Sequence, residues 1–330
     1  MMRLPRFEYL EPKDIKEVSS LLSEKKKDAV ILAGGTDIFI KMKQRIVTPQ
    51  YLVNLRHVEN MSGIEFVESK GLRIGALVTL EDLSKSLPVI ERFSALSQAA
   101  GKVAIPQIRN MGTIGGNICL DSLCWYYNQS HQWRKSRPPC LKSGGGRCYV
   151  AKGTKQCRAL FQADTPAALI ALGAKVKVVG PVEEKLVDME AFYTQKGEKT
   201  NTMDDTVFVK EIQIPTPPGG SGGAYLKLSH RNAIDFPIVG TASQLNLTDG
   251  KCTSVRIVCT AVASGPVRAK EAEEVLVGNT TTNDLVEKAA ELAQEKIRPL
   301  PHMSISAEYK RRLIKIMVRG SLRQAWDLAR

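Results

Sequence analysis

The chain contains a glycine-rich turn, Arg109-Asn110-Met111-Gly112-Thr113-Ile114-Gly115-Gly116-Asn117. Further along, a helix start is predicted at Asp164-Thr165-Pro166-Ala167-Ala168-Leu169, with Thr165 as its cap. Between them lie five of the seven cysteines, two of the three tryptophans and a dense run of basic residues. A loop suited to binding phosphate is thus separated from the next helix by a cysteine-bearing insert at about residues 119–160. The function depends on what this insert binds.

A second glycine turn precedes it. The apolar run Ala29–Ala33 predicts a buried strand, which ends in Gly34-Gly35-Thr36-Asp37. Glycine accepts positive φ and lets backbone approach a ligand, so successive amides can converge on a phosphate, with the Thr36 hydroxyl as a further donor. Alone, each turn is equally compatible with a tight turn that binds nothing. If the two meet over one pyrophosphate, they favour a nucleotide-containing cofactor.

The insert carries Cys119, Cys124, Cys140, Cys148 and Cys157, spaced C-x15-C-x7-C-x8-C from Cys124 onward. Four thiolates can bind Zn²⁺ or an iron–sulfur cluster. Structural zinc sites mostly use close cysteine pairs, which are lacking here, whereas wide spacing suits a larger 4Fe–4S cluster. A segment of about 40 residues is near the size that needs a metal or another staple to fold. Cluster, zinc and no metal all remain open on spacing alone.

Charge and composition exclude several classes. The chain carries +13, and from Asp121 to Leu160 eight Lys/Arg stand against one acid, a local excess of +7. No recognition-helix or RNA-binding signature accompanies these charges, so nucleic acid is not the expected partner. No apolar run is long enough for a membrane span, and the polar start is unlike a signal peptide, so we expect a cytoplasmic protein. No nucleophile–base arrangement is apparent, and we expect no catalytic residue in this chain.

The pattern of elements predicts an α+β fold in two domains. The linker Pro215–Gly223 places the boundary between a domain of residues 1–217, which carries the insert, and one of residues 218–330. In the first domain Val89–Gly101 predicts one helix. In the second domain, strands precede helices, and the first of these helices is predicted at Val267–Val277.

The chain resembles the FAD-binding subunits of the xanthine dehydrogenase and carbon monoxide dehydrogenase family. The resemblance is carried by both glycine turns, by Asp164 before the Thr-Pro helix start, and by Tyr225-Leu226-Lys227-Leu228. The resemblance implies a two-part FAD-binding domain of the molybdenum-hydroxylase type followed by a smaller α+β C-terminal domain. It implies that Asp164 and Lys227 lie near the flavin and its ribityl chain. It also implies that the two turns hold the FAD pyrophosphate, through Ala33, Gly34, Gly35, Thr36, Asp37, Thr113, Ile114, Gly115, Gly116 and Asn117.

The insert departs from most members of that family and is similar to the one in β subunits of the 4-hydroxybenzoyl-CoA reductases. There four cysteines bind a 4Fe–4S cluster, which implies Cys124, Cys140, Cys148 and Cys157 as ligands here and Cys119 as the spare. The resemblance further implies a molybdopterin-binding large subunit and a 2Fe–2S small subunit in a dimer of heterotrimers. Electrons would pass from ferredoxin through the cluster and FAD toward molybdenum, for reductive dehydroxylation to benzoyl-CoA.

Two other functions remain open. One is the FAD subunit of a related hydroxylase that oxidises another aromatic or heterocyclic substrate. The other is a zinc-stapled basic binding module without redox activity. The basic excess of the insert suggests a docking patch for an acidic electron donor.

Overall fold

A computed structural model describes residues 3–303 and 305–330. Up to Ile214 it contains two sheets and the helices that pack on them. In chain order the elements are β1 (Glu8–Leu10), α1 (Ile15–Lys25), β2 (Ala29–Leu32), α2 (Ile38–Lys43), β3 (Tyr51–Asn54), β4 (Ile64–Val67), β5 (Gly71–Gly75), α3 (Leu80–Lys85), α4 (Leu87–Arg92), α5 (Ser94–Gly101), α6 (Pro106–Arg109), α7 (Ile114–Ile118), α8 (His131–Lys135), α9 (Thr165–Ala171), β6 (Lys175–Val179), β7 (Glu184–Asp188) and β8 (Phe208–Ile214).

The two sheets of this first domain differ in direction. The smaller one is parallel, with strand order β1-β3-β2, and α1 covers it with the buried side chains of Val18 and Leu22. The larger one is antiparallel, with order β4-β5-β8-β6-β7, and Ile212 on the central strand pairs with Ile74 on one side and Val176 on the other. The two-part character expected of the FAD-binding domain is therefore present.

The second domain is one antiparallel sheet covered by helices. Its elements are β9 (Ser221–Leu228), β10 (Val239–Thr248), β11 (Lys251–Thr260), β12 (Val267–Arg268), α10 (Lys270–Glu274), α11 (Asn283–Lys296) and α12 (Ala307–Ala329). The strand order is β12-β11-β10-β9, and α12 packs across β9 so closely that a Cβ on Gly222 would lie 2.0 Å from the carbonyl oxygen of Ala325. Asp249 and Gly250 form the hairpin turn between β10 and β11, with φ of 51° and 76°.

The two domains share a core at their contact. Helix α9 is buried along its whole length, and it packs against β10 and β11 of the second domain. Tyr225, Ala242 and Val258 lie on the second-domain sheet but belong to the hydrophobic core of the first domain. The two domains are therefore joined by apolar contact.

Three details differ from the sequence-based expectations. The helix expected over Val89–Gly101 is two helices, because the backbone breaks at Phe93, whose ring is fully buried edge-on to Phe66 at 5.9 Å. The helix expected from Val267 begins as strand β12, which pairs with Val258 and Cys259. The last three residues of the expected linker already belong to β9. In each case a tertiary contact overrides the local pattern.

No helix among the described residues is long and apolar enough to cross a membrane.

Candidate flavin site and cysteine cavity

The two glycine turns, far apart in sequence, touch each other. A Cβ on Gly34 would lie 1.9 Å from the carbonyl oxygen of Met111 and 3.0 Å from the Cα of Gly112. On the other side, a Cβ on Gly112 would lie 3.6 Å from the hydroxyl of Thr36. The close approach requires glycine at Gly34, and it places the end of strand β2 against the start of α7.

The two turns differ in how many backbone amides they leave free. Within the described part of the chain, the amides of Gly34, Gly35 and Thr36 donate to no other protein group. In the second turn the amide of Ile114 donates to Val78 and that of Gly115 donates to Ala76.

A further amide of the second turn also donates a hydrogen bond within the protein. The amide of Gly116 donates to the Thr113 hydroxyl at 3.1 Å, while that of Thr113 has no partner among the described residues. A pyrophosphate needs several convergent N–H donors at a place where backbone can approach it. The free amides of the first turn, with that of Thr113, fit this requirement.

Asn117 ties the second turn to helix α9. Its side-chain oxygen accepts a 2.6 Å hydrogen bond from the Thr165 hydroxyl. Thr165 was expected to cap this helix, but the helix already begins at Thr165, and Asp164 in the cap position makes no capping hydrogen bond. Both side chains are used for contacts with other elements instead.

Asp164 lies at the centre of a buried polar cluster between the two domains. Its carboxylate accepts hydrogen bonds from the Tyr225 hydroxyl at 2.6 Å and from the Lys227 ammonium at 3.1 Å. Lys227 also donates to the carbonyl of Lys102 at 2.8 Å, and Lys102 donates to the carbonyl of Tyr225 at 3.2 Å. The side chains of Lys227 and Asp164 are 7% and 4% exposed, so this ion pair is almost free of solvent screening.

Burial dominates the titration of this cluster. It raises the pKa of Asp164 despite the opposing charge of Lys227 and the hydrogen bond from Tyr225. It lowers the pKa of Lys102, although the charge of Asp164 opposes this shift. The arrangement can hold charge and hydrogen-bond donors next to a polar part of a ligand.

Two residues of this cluster were missed from sequence. Tyr225 could have been found, because it lies two residues before Lys227 on a strand and so faces the same side. Lys102 offered no signal, since a lysine directly after a helix is typical of solvent-exposed surface.

Four of the five insert cysteines line one small cavity of about 10 Å³. Cys124, Cys140, Cys148 and Cys157 share its wall with Tyr126, Tyr127, Leu141, Lys142, Tyr149, Arg158 and Ala159. The structure thus brings together the four cysteines that resemblance had selected. Cys119, the expected spare, is not in this wall; it is partly buried, and desolvation raises its pKa to about 12.

Backbone amides point at two of these sulfurs. Burial raises the pKa of Cys124, and hydrogen bonds from the amides of Tyr126 and Tyr127 oppose this shift. Burial raises the pKa of Cys157 to about 11, against smaller opposing effects of the Ala159 amide and the Lys142 ammonium. Such donors stabilise a thiolate, which is the form of cysteine that binds metal.

The aromatic side chains of the insert divide between the cavity wall and the protein surface. Tyr126 and Tyr127 do line the cavity, and Tyr126 stacks on Tyr149 at 5.3 Å. Trp125 does not line it and is 51% exposed. Trp133 packs instead under the guanidinium of Arg137, at 3.9 Å from the ring centre.

The ends of the insert meet in a short antiparallel bridge. The amide of Leu123 donates to the carbonyl of Leu160 at 2.7 Å, and the reverse bond measures 2.9 Å. From there residues 157–164 run from the last cysteine of the cavity to Asp164, with Phe161 hydrogen-bonded to Ala263 of the second domain. One short buried segment therefore connects the cysteine cavity with the cluster around Asp164.

Comparison with known proteins places the chain in a family. Residues 5–217 match the model of the FAD binding domain in molybdopterin dehydrogenase, and residues 224–325 match that of the CO dehydrogenase flavoprotein C-terminal domain. The carbon monoxide dehydrogenase medium chain of Afipia carboxidovorans is 31% identical over 97% of this chain and 96% of its own length. The FAD-subunit of nicotinate dehydrogenase from Eubacterium barkeri is 26% identical over 94% and 92%.

Solved structures agree. Carbon monoxide dehydrogenase from Hydrogenophaga pseudoflava, in a form lacking the Mo-pyranopterin moiety, superposes with a TM-score of 0.82 at 29% identity over 99% of both chains. The fold and the two family matches together define a flavoprotein subunit of the oxidoreductase class. The chain belongs to the family of FAD-binding subunits of the xanthine dehydrogenase and carbon monoxide dehydrogenase type.

Proposed function

We propose that this chain is the FAD- and 4Fe–4S-carrying electron-transfer subunit of a molybdenum enzyme, of the 4-hydroxybenzoyl-CoA reductase type. The observation that carries the proposal is that Cys124, Cys140, Cys148 and Cys157 all line one cavity. Family membership supports FAD and the oxidoreductase class, and the cysteine cavity supports the second redox centre.

The spacing of the four thiols favours a cluster over zinc. A tetrahedral zinc ion bonds each sulfur at about 2.3 Å and so draws four sulfurs close together. Among the described residues, no three His, Cys, Asp or Glu side chains lie close enough to share a single metal ion. Four thiols that line one cavity without converging on one point suit a cluster whose irons occupy separate corners.

The residues of this chain would bind and orient the cofactors. The turns Ala33–Asp37 and Thr113–Asn117 would hold the FAD pyrophosphate, chiefly through the free amides of the first turn. Asp164 and Lys227 would lie beside the flavin and its ribityl chain, held by Tyr225 and Lys102. Bound flavin supplies one- and two-electron transfer, with the protein setting its geometry and potential. No residue of the chain is proposed to act on the substrate.

The proposed assembly contains a molybdopterin-binding large subunit and a 2Fe–2S small subunit, as a dimer of heterotrimers. In it, electrons from ferredoxin pass through this chain toward molybdenum for reductive dehydroxylation. The named relatives support the molybdenum context, since the matched models belong to molybdopterin dehydrogenase and CO dehydrogenase flavoprotein domains. We also propose residues 1–217 and 218–330 as the two domains.

The basic surface of the insert supports ferredoxin as the donor. Lys135, Lys152 and Lys155 are exposed, whereas Arg137 is held over the Trp133 ring and is a poor candidate for docking. We expect Lys152→Glu with Lys155→Glu to slow reduction by ferredoxin at least tenfold at low salt, and high salt to slow the wild type. Reduction by dithionite, a small reductant, serves as the control. A rate independent of salt and of both substitutions would contradict ferredoxin docking here.

Absorption spectra and metal contents of the anaerobically purified chain test the cofactor proposal. We expect one FAD and four irons per chain, with a broad iron–sulfur band that dithionite bleaches. Cys140→Ser should remove the iron and keep FAD, whereas Cys119→Ala should keep both. One zinc per chain without iron would contradict the cluster and support the zinc-stapled module.

The alternative is a related hydroxylase that oxidises another aromatic or heterocyclic compound. Family relatives such as the nicotinate dehydrogenase FAD-subunit favour it, while the cysteine cavity favours the reductase. Activity of the assembled complex separates them. Reduced ferredoxin with 4-hydroxybenzoyl-CoA gives turnover in the first case, and oxidation of a heterocycle with an electron acceptor gives it in the second.

A further inference from the structure

A buried lysine lies in the wall of the cysteine cavity and takes no part in binding either cofactor. The side chain of Lys142 is 3% exposed, and it lines the cavity together with the four cysteines. Its ammonium group donates to Asp121 at 2.8 Å, to the Ser122 hydroxyl at 2.8 Å and to the Gly197 carbonyl at 2.5 Å. An ammonium has three N–H donors, so all of them are used and the charge is fixed in place.

The counter-charge of this lysine is also held rigidly. The carboxylate oxygen of Asp121 that accepts from Lys142 also accepts from Thr200 at 2.9 Å and from the Ser122 amide at 2.8 Å. Asp121 is 31% exposed, while Lys142 is not, so solvent screens the negative charge more than the positive one. Seen from the cavity, the pair therefore presents a net positive charge.

We propose that Lys142, opposed by Asp121, sets the reduction potential of the iron–sulfur cluster proposed for this cavity. The inference rests on the proposed function. Reduction adds one electron, so the charge of a 4Fe–4S core with its four thiolates changes from 2− to 3−. A fixed ammonium beside the cavity stabilises the added charge and raises the potential, and a carboxylate does the reverse.

The opposite signs of the two charges give the test. We expect Lys142→Met to disfavour the reduced cluster by about tenfold or more at a fixed solution potential, equivalent to about 59 mV for a one-electron couple. Asp121→Asn should favour the reduced cluster, because it removes the negative charge and leaves Lys142 in place. Lys142→Arg retains the charge and should stay near the wild-type potential.

The measurement is a redox titration of the iron-loaded full chain, followed by electron paramagnetic resonance of the reduced cluster, with iron and FAD contents for each variant. Lys135→Met, which removes an exposed charge of the same insert, should leave the potential unchanged at high salt. Potentials that move in the same direction for Lys142→Met and Asp121→Asn, or that do not move, would overturn the proposal.

Two further outcomes are distinguishable. If Lys142→Met cannot hold iron, Asp121→Asn and Lys142→Arg decide, because both variants keep a cation at the cavity wall. An unchanged cluster potential in Asp121→Asn would overturn the role of the pair. A raised potential in that variant would support it. If the wild type binds no iron, the proposed function fails and this inference with it. Full iron without a shift overturns this inference alone.

Discussion

At the scale of single residues, Gly34 decides whether the two turns of the proposed flavin site can meet. Its missing Cβ is the space occupied by the carbonyl of Met111, at 1.9 Å from where a methyl would stand. Backbone cannot give way here without separating strand β2 from the second turn. The proposed site therefore depends on the missing Cβ of Gly34 as well as on the backbone N–H donors.

We expect Gly34→Ala to lose FAD and to lower the free energy of unfolding by about 1–3 kcal/mol, the usual cost of overpacking. The measurement is the FAD content of the purified protein together with urea unfolding. Gly219→Ala is the matched control, because a Cβ there meets nothing within 4 Å. Normal FAD content in Gly34→Ala would show that the contact between the turns is not needed for binding.

Lys310 gives a second prediction at this scale. Its ammonium is buried and bonds to the Ala261 carbonyl at 2.8 Å, and burial lowers its pKa from 10.5 to about 8. A lowered pKa means that folding releases a proton between pH 8 and 10.5, so stability rises with pH across that window. Below pH 8 the buried charge costs about 3 kcal/mol.

We expect Lys310→Met to stabilise the protein by about 2 kcal/mol at pH 7, since the lost hydrogen bond offsets about 1 kcal/mol of the gain. At pH 10 the advantage should vanish. Urea unfolding of both proteins at pH 7, 8.5 and 10 checks this. The pKa of the neighbouring His302 is lowered from 6.5 by burial first and then by Lys310, so His302 stays neutral across the window and does not add to the slope. A stability difference that is constant with pH would contradict the proposed cause.

At the scale of elements, the insert has little regular structure of its own. Between Leu123 and Leu160 the structure describes the five-residue helix α8, one turn of 3₁₀ helix at Leu141–Ser143 and loops. Contacts at its base hold it to the rest of the chain, including the Lys142 cluster and a 2.6 Å bond from the Cys157 amide to Glu198. Arg134 in α8 adds hydrogen bonds to the carbonyls of Gln44 and Arg45. Because little of the insert is regular helix or strand, a bound cluster should still contribute much of its order.

We expect removal of iron to expose the insert to protease. Trypsin should cut at Lys152 and Lys155, which are exposed, at least tenfold faster in iron-depleted protein than in iron-loaded protein. Mass spectrometry of the fragments over time is the measurement. Cleavage elsewhere in the chain is the internal control, and equal rates at these two lysines with and without iron would contradict the stapling role.

How much the sequence could predict depends on the range of the interaction involved. Helix caps depend only on neighbouring residues, so they can be read from sequence. Thr79, Thr282 and Ser306 cap α3, α11 and α12, as their residue types indicate. The break at Phe93 and the strand at Val267 were missed, because a buried ring and a distant strand decide them.

The candidate site divides in the same way. The glycine turns and cysteines were visible as sequence patterns. The sequence could not show that two amides of the second turn already donate hydrogen bonds to the carbonyls of Val78 and Ala76. Lys102 and Lys142 were unremarkable lysines until the fold placed their ammonium groups next to carbonyl oxygens and, for Lys142, a carboxylate.

At the scale of the whole molecule, the ion pair of Lys227 and Asp164 joins the two domains where the flavin is proposed to lie. Both side chains are buried, and burial raises the pKa of Asp164. An ionised carboxylate with a raised pKa costs stability above that pKa and none below its unfolded value. Removing the partner enlarges this cost.

We expect Lys227→Met to lower the free energy of unfolding by about 3–5 kcal/mol at pH 8 and by less at pH 5, where the carboxyl group can take up a proton. Unfolding at both pH values and FAD content are the measurements. Lys175→Met, which breaks an exposed pair with Asp188, should have little effect at either pH. The combination with Asp164→Asn should recover part of the loss, and failure to recover any would place the effect elsewhere.

The bridge between Leu123 and Leu160 has a consequence for how such proteins can be built. Because the two ends of residues 124–159 are hydrogen-bonded neighbours, this module can be exchanged as one piece without moving the sheets or the glycine turns. If the proposed cluster is present, a flavoprotein scaffold gains or loses that redox centre by a single splice at one bridge. Joining Leu123 to Leu160 by a two-residue hairpin loop would give a minimal flavin-only version, and grafting the module onto a relative at the equivalent bridge would give the converse.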